Sequence, residues 1–135
     1  MIRQILSAAL LIAAPFVGSG VLAQTPRPDP GLACPAGTHY ATIRHNLIKP
    51  GQWAAFESAV AAHNGWYIGH GSKTTTKLSR VIELGAGAPS LSTTEAVTTT
   101  VYSAAPQPAH DAAYDAFTAQ YRASSTLKDE ARICL

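Results

Sequence analysis

Cys34 and Cys134 are the only cysteines in this 135-residue chain, and nearly everything after its N-terminal region lies between them. Two cysteines read as a disulfide when the compartment is oxidising, so the destination of the chain matters first. Its opening, MIRQILSAALLIAAPFVGSGVLAQ, has one positive charge at Arg3, an apolar run over 5–17, and small residues leading into Val21, Leu22 and Ala23. That is the pattern of a secretory signal peptide over 1–23, cut after Ala23. Pro15, Gly18 and Gly20 shorten the run below the roughly 18 to 20 apolar residues a retained anchor needs. An exported protein, periplasmic or secreted, is expected, with no membrane attachment after cleavage and with Cys34 bonded to Cys134. Closing so long a loop stabilises a fold by up to about 4.7 kcal/mol in the chain-entropy account.

Charge excludes two partner classes. The chain has ten basic and eight acidic side chains, and loss of Arg3 with the signal leaves it nearly neutral. No basic stripe is present for nucleic acid and no polybasic patch for anionic lipid. The remaining length of about 112 residues suits one domain, small enough for a cross-link to matter.

Residues 24–38, QTPRPDPGLACPAGT, contain four prolines and two glycines and are expected to form an extended leader. From 40 to 49 the residues alternate. Ala41, Ile43 and Leu47 share one side and Tyr40, Thr42, Arg44 and Asn46 the other, which predicts a strand with one apolar and one polar face. Pro50-Gly51 stops it. Trp53, Phe56, Val60, His63 and Tyr67 then recur at spacings of three and four on an alanine-rich background, the stripe of a helix ended by Gly69 and Gly71. A second strand is predicted over 74–84, a flexible connection over 85–94, and a third strand over 95–103. A second helix is predicted over 109–123, with His110, Tyr114, Phe117 and Tyr121 as its stripe. A short strand over 131–135 closes the chain.

The order β-α-β-β-α-β predicts an α+β, ferredoxin-like domain over 39–135, with two helices on one face of an antiparallel sheet. Right-handed crossovers give the strand order 4-1-3-2. The first and last strands then lie side by side, which brings Cys34 and Cys134 within bonding reach. The cysteines and the element order lead separately to the same layout.

The segment YATIRHNLIKPGQWAAFESAV, with Lys49-Pro50-Gly51 and Phe56, resembles the opening of dimeric α+β barrel proteins. That superfamily includes antibiotic-biosynthesis-type monooxygenases and NIPSNAP-like proteins. The resemblance extends over 40–135 in element order and over about the first 20 of those residues in pattern. It implies a homodimer formed through the sheets, burying the mixed polar face of Tyr40, Thr42, Arg44, Thr98, Thr100 and Tyr102 against its copy. The superfamily hosts cofactor-free oxygenases, isomerases, haem enzymes and proteins without known activity, so fold alone does not assign function.

Candidate chemistry centres on HNGWYIGH, residues 63–70. On an unbroken helix His63 and His70 stand about 10.5 Å apart along the axis, too far to share a metal at about 2.1 Å from each. His63 continues the apolar stripe, as a core or pocket histidine would. Alternatively His63, Tyr67 and His70 form a catalytic group with Trp66 at the mouth of a cleft between helix and sheet. A histidine there would take a proton from a phenolic or enolic ligand, as in a cofactor-free oxygenase. His45 shares a face with Ile43 and Leu47 and is expected to look towards His63. No cofactor is predicted, and a metal or haem held by His45 and His63 is the alternative. Arg44 and Arg132, on neighbouring strands, would bind a carboxylate or pair with acids such as Glu83 or Glu95. Trp66, His45, Arg44 and Tyr102 are the candidate ligand-binding residues. The expected function is binding of a small apolar or aromatic ligand between sheet and helices, with a histidine-based oxygenase or a non-catalytic interaction module as alternatives.

Overall fold

The computed structural model describes residues 34–104 and 106–135. The expected signal peptide and the leader as far as residue 33 lie outside the described residues. Alternating side chains give the first strand, β1 (Tyr40–Ile48), and the turn at Pro50 and Gly51 ends it, with Gly51 at φ +72°. Helix α1 (Trp53–Gly69) is rich in alanine and stops before Gly71, whose φ of +69° favours glycine. Strands β2 (Thr75–Glu83) and β3 (Ser90–Val101) follow as a hairpin. Helix α2 (Ala112–Ser124) starts at Asp111, whose carboxylate accepts the Tyr114 N–H at 2.9 Å as an N-cap. Strand β4 (Ser125–Cys134) comes immediately after it.

All strand pairs are antiparallel and the sheet order is β2-β3-β1-β4, the expected 4-1-3-2 read from the other edge. The expected bridge is present. Tyr40 pairs with Cys134, and Cys34 and Cys134 are disulfide-bonded with their Cα atoms 5.6 Å apart. No helix among the described residues is long and apolar enough to cross a membrane.

Two boundaries differ from expectation. β3 begins at Ser90, so the connection is shorter than 85–94, and β4 begins at Ser125 rather than near 131. Both added stretches are polar. β4 is an edge strand with most of its residues exposed, so its ladder hydrogen bonds do not require the alternation a half-buried strand shows.

The larger correction concerns the two sides of the sheet. Both helices pack on the polar face. Ala96 and Ile48 on that face meet Phe56 and Val60 of α1, with Leu78 and Tyr121 against them. Thr42, Thr76, Thr98 and Thr100, all of this face, are buried beneath the helices. Trp66, Tyr67 and Phe117 form a second cluster where α1 crosses α2. The opposite face carries Ile43, Val97, Val101 and Ile133, each only half-buried. The polar groups of the helix-facing side are satisfied there: Thr76 bonds His63 of α1 and Thr100, and the Asn46 amide bonds Thr98 and the Arg44 carbonyl.

Candidate functional site

The polar sheet face and the two helices enclose a cavity of about 420 Å³. Its floor is Arg44 and Asn46 from β1, Thr76 from β2, Thr98 from β3, and Leu127 and Glu130 from β4, with Tyr102 at the end of β3. Its roof is His63 and Tyr67 from α1 and Tyr114, Phe117, Thr118 and Tyr121 from α2. The helix stripes explain the roof. Residues 63 and 67 are one turn apart on α1, and 114, 117 and 121 follow the same spacing on α2, so five rings converge on one space.

His63 is buried in the roof, at 8 % exposure. Its ring stacks on Phe117 with centroids 4.6 Å apart. Nδ1 lies 3.3 Å from the Thr76 hydroxyl and 3.4 Å from the Tyr121 hydroxyl, and Thr76 in turn lies 2.9 Å from the Thr100 hydroxyl. Among the described residues Nε2 makes no hydrogen bond, yet no buried side-chain polar atom lacks a partner. Nε2 is therefore open to the cavity His63 lines. Burial, assisted by the positive charge of Arg44, pushes the imidazole down to about 4, so it is neutral at physiological pH. Burial also raises the Tyr67, Tyr114 and Tyr121 phenols, which stay protonated as hydroxyl donors.

Arg44 is the cationic pole of the cavity. Its Nε donates to the Glu130 carboxylate at 2.6 Å, and Arg132 Nε donates to the other Glu130 oxygen at 3.3 Å. Burial works against the Glu130 carboxylate, but the hydrogen bonds and charges of Arg44 and Arg132 outweigh it and hold the group below its ordinary value. Burial likewise opposes the Arg44 charge and is overcome by Glu130. Arg44 thus pairs with an acid, but with Glu130 rather than Glu83 or Glu95.

The structure divides the residues singled out in the sequence. His63, Tyr67, Arg44 and Tyr102 line one cavity; Trp66, His70 and His45 do not. The Trp66 indole donates to Asp111 at 2.8 Å, His70 Nδ1 donates to the Trp66 carbonyl at 2.7 Å, and His70 Nε2 lies 3.3 Å from Asp111. These contacts tie the end of α1 to the start of α2. His70 follows the last residue of α1 and lies outside the lining of the cavity that holds His63. His110 precedes α2 and stacks on Tyr114 at 3.5 Å. His45 lies on the outer sheet face, with Nε2 2.7 Å from Glu95 and Nδ1 3.5 Å from Asp129. The sheet separates it from His63, so the two do not fit one metal ion or haem, and no group of three metal-ligating side chains occurs among the described residues.

Tyr114, Tyr121, Asn46, Thr98 and Glu130 belong to the site although sequence reasoning did not place them there. A signal was available: a helix stripe carrying two phenols, at 114 and 121, calls for a polar surface opposite. Comparison of the sequence with protein families and with curated proteins gives no match, so the geometry carries the functional reading.

Proposed function

We propose that the protein binds a small aromatic ligand in the cavity between sheet and helices. The supporting observation is the arrangement of its walls: five rings above, and a guanidinium paired with a carboxylate, an amide and two threonine hydroxyls below. A volume of about 420 Å³ falls within the range of roughly 300 to 1,000 Å³ typical of small-molecule sites. Convergent polar groups facing aromatic rings are the means by which such sites orient a ligand. Export to an oxidising compartment fits the disulfide.

Proton abstraction by His63, the chemistry of a cofactor-independent oxygenase, is the second reading, and the opening of Nε2 to the cavity favours it. Basicity ranks it second. Taking a proton from a phenol of pKa about 10 to an imidazole near 4 is uphill by roughly 8 kcal/mol before any compensation. A neutral imidazole that holds a ligand hydroxyl needs no such step. Membership of the dimeric α+β barrel superfamily, with a homodimer, belongs to the same proposal. The outer sheet face, with Ile43, Val97, Val101 and Ile133, is the surface a second copy would cover.

The test is aromatic-resolved NMR titration with a set of mono- and bicyclic aromatic compounds at millimolar concentration. Expected shifts concentrate on Tyr67, Tyr114, Phe117 and Tyr121. Shifts confined to the outer sheet face, or none at all, overturn the reading. Oxygen uptake with a dihydroxynaphthalene, abolished in a folded His63→Ala variant, would move catalysis to first place.

A further inference from the structure

We propose that the aromatic ligand is a monoanion, an aryl carboxylate whose charged group sits on the Arg44 guanidinium. The inference rests on the cavity being the ligand site and goes further by naming the ligand class.

Charge is the first ground. The ionised groups lining the cavity are Arg44, Arg122 and Glu130. Arg122 makes no ion pair among the described residues, and Glu130 is shared between Arg44 and Arg132. The phenols are protonated and His63 is neutral, so the lining has an excess of one positive charge. Arg44 lines the same cavity as His63, Tyr67, Tyr114 and Tyr121, which places its charge among the rings.

Geometry is the second ground. Glu130 takes only the Nε proton of Arg44. The two Nη groups make no hydrogen bond among the described residues and leave a planar fork that a carboxylate matches with two parallel bonds. Arg44 is 38 % exposed in its side chain, so the fork remains accessible. The aromatic body of such a ligand then lies under the His63, Phe117 and Tyr121 rings. Its size of charge also follows. The lining carries two guanidinium groups, Arg44 and Arg122, against the single Glu130 carboxylate, an excess too small for a dianion such as a phosphate monoester. A single negative charge is what the lining neutralises.

The experiment compares 2-naphthoate with 2-naphthamide, a neutral compound of nearly the same shape, by isothermal titration calorimetry at pH 7. Wild-type protein is expected to bind naphthoate at least tenfold more tightly. Arg44→Gln should abolish that preference while keeping the naphthamide affinity, and Arg44→Lys, which keeps the charge without the fork, should keep part of it. Equal wild-type binding of the two compounds overturns the inference and leaves the aromatic site standing. Binding of neither overturns both. Should Arg44→Gln fail to fold, the wild-type ratio still decides, and 2-naphthyl phosphate binding better than naphthoate would also refute the monoanion assignment.

Discussion

Arg44 and Glu130 stand directly opposite each other on β1 and β4, and their side chains meet at 2.6 Å on the sheet face that carries the helices. The pair joins the central sheet to an edge strand and sets the electrostatics of the cavity. Because the ion pair is partly solvated, Glu130→Gln should cost less than about 1 kcal/mol in chemical denaturation at pH 7. The carboxyl titrates below its ordinary 4.5 in the folded state. Its contribution is therefore complete above that value and is lost as pH falls through the folded pKa. The wild-type advantage over the variant should vanish in strong acid; an advantage that grew with acidity would contradict the pairing.

His63 produces a different pH dependence in a separate window. Its folded imidazole resists protonation down to about 4, whereas the unfolded one titrates near 6.5. Between those values the unfolded chain binds the extra proton, so stability is full above about 6.5 and declines as pH falls towards 4. The total is about 3 kcal/mol. Urea midpoints for wild type should drop between pH 7 and pH 4.5, and His63→Asn should remove most of that drop. A histidine side-chain NMR titration with a midpoint near 6.5 for His63 would refute the burial argument.

The Cys34–Cys134 bridge closes 100 residues of separation. In the chain-entropy account its reduction should lower stability by up to about 4.7 kcal/mol, seen as a large fall in the denaturant midpoint on adding reductant. Peptide mapping without reduction should recover the two cysteines in one linked fragment pair. Two free thiols in folded material would remove the side-by-side placement of β1 and β4.

Element order was legible in the sequence because it depends on local chemistry. Alternation over 40–49, the three-and-four spacing of Trp53, Phe56, Val60 and His63, and breakers such as Pro50-Gly51 each act within a few residues. Which side of the sheet takes the helices was not, because it depends on what the helices bring. His63, Tyr67, Tyr114 and Tyr121 put polar atoms into an otherwise aromatic layer, and the sheet beneath is polar too, with Thr76 bonded to His63 and Asn46 to Thr98. An apolar-face-inward rule therefore sent His45 towards His63 when it points the other way. The site was read in half for the same reason. His70 caps α1 and is held by the Trp66 carbonyl and Asp111, contacts that seven-residue spacing does not reveal, so it does not join His63 in the cavity lining.

The sidedness of the sheet also decides which substitution tests the dimer. Thr100 is 2 % exposed beneath the helices and bonded to Thr76. A lysine there would bury an unpaired ammonium, so Thr100→Lys should destabilise the monomer by about 3 kcal/mol or more and would report on folding rather than assembly. Val97 faces the other way, opposite His45 on β1 and Ser79 on β2. Val97→Lys should leave the circular dichroism spectrum and the Cys34–Cys134 bond intact and halve the mass measured by light scattering on a sizing column. A wild-type protein that elutes as a monomer at micromolar concentration would refute the homodimer. It would leave the cavity unaffected, since that space lies between the sheet and the helices, on the face opposite Val97.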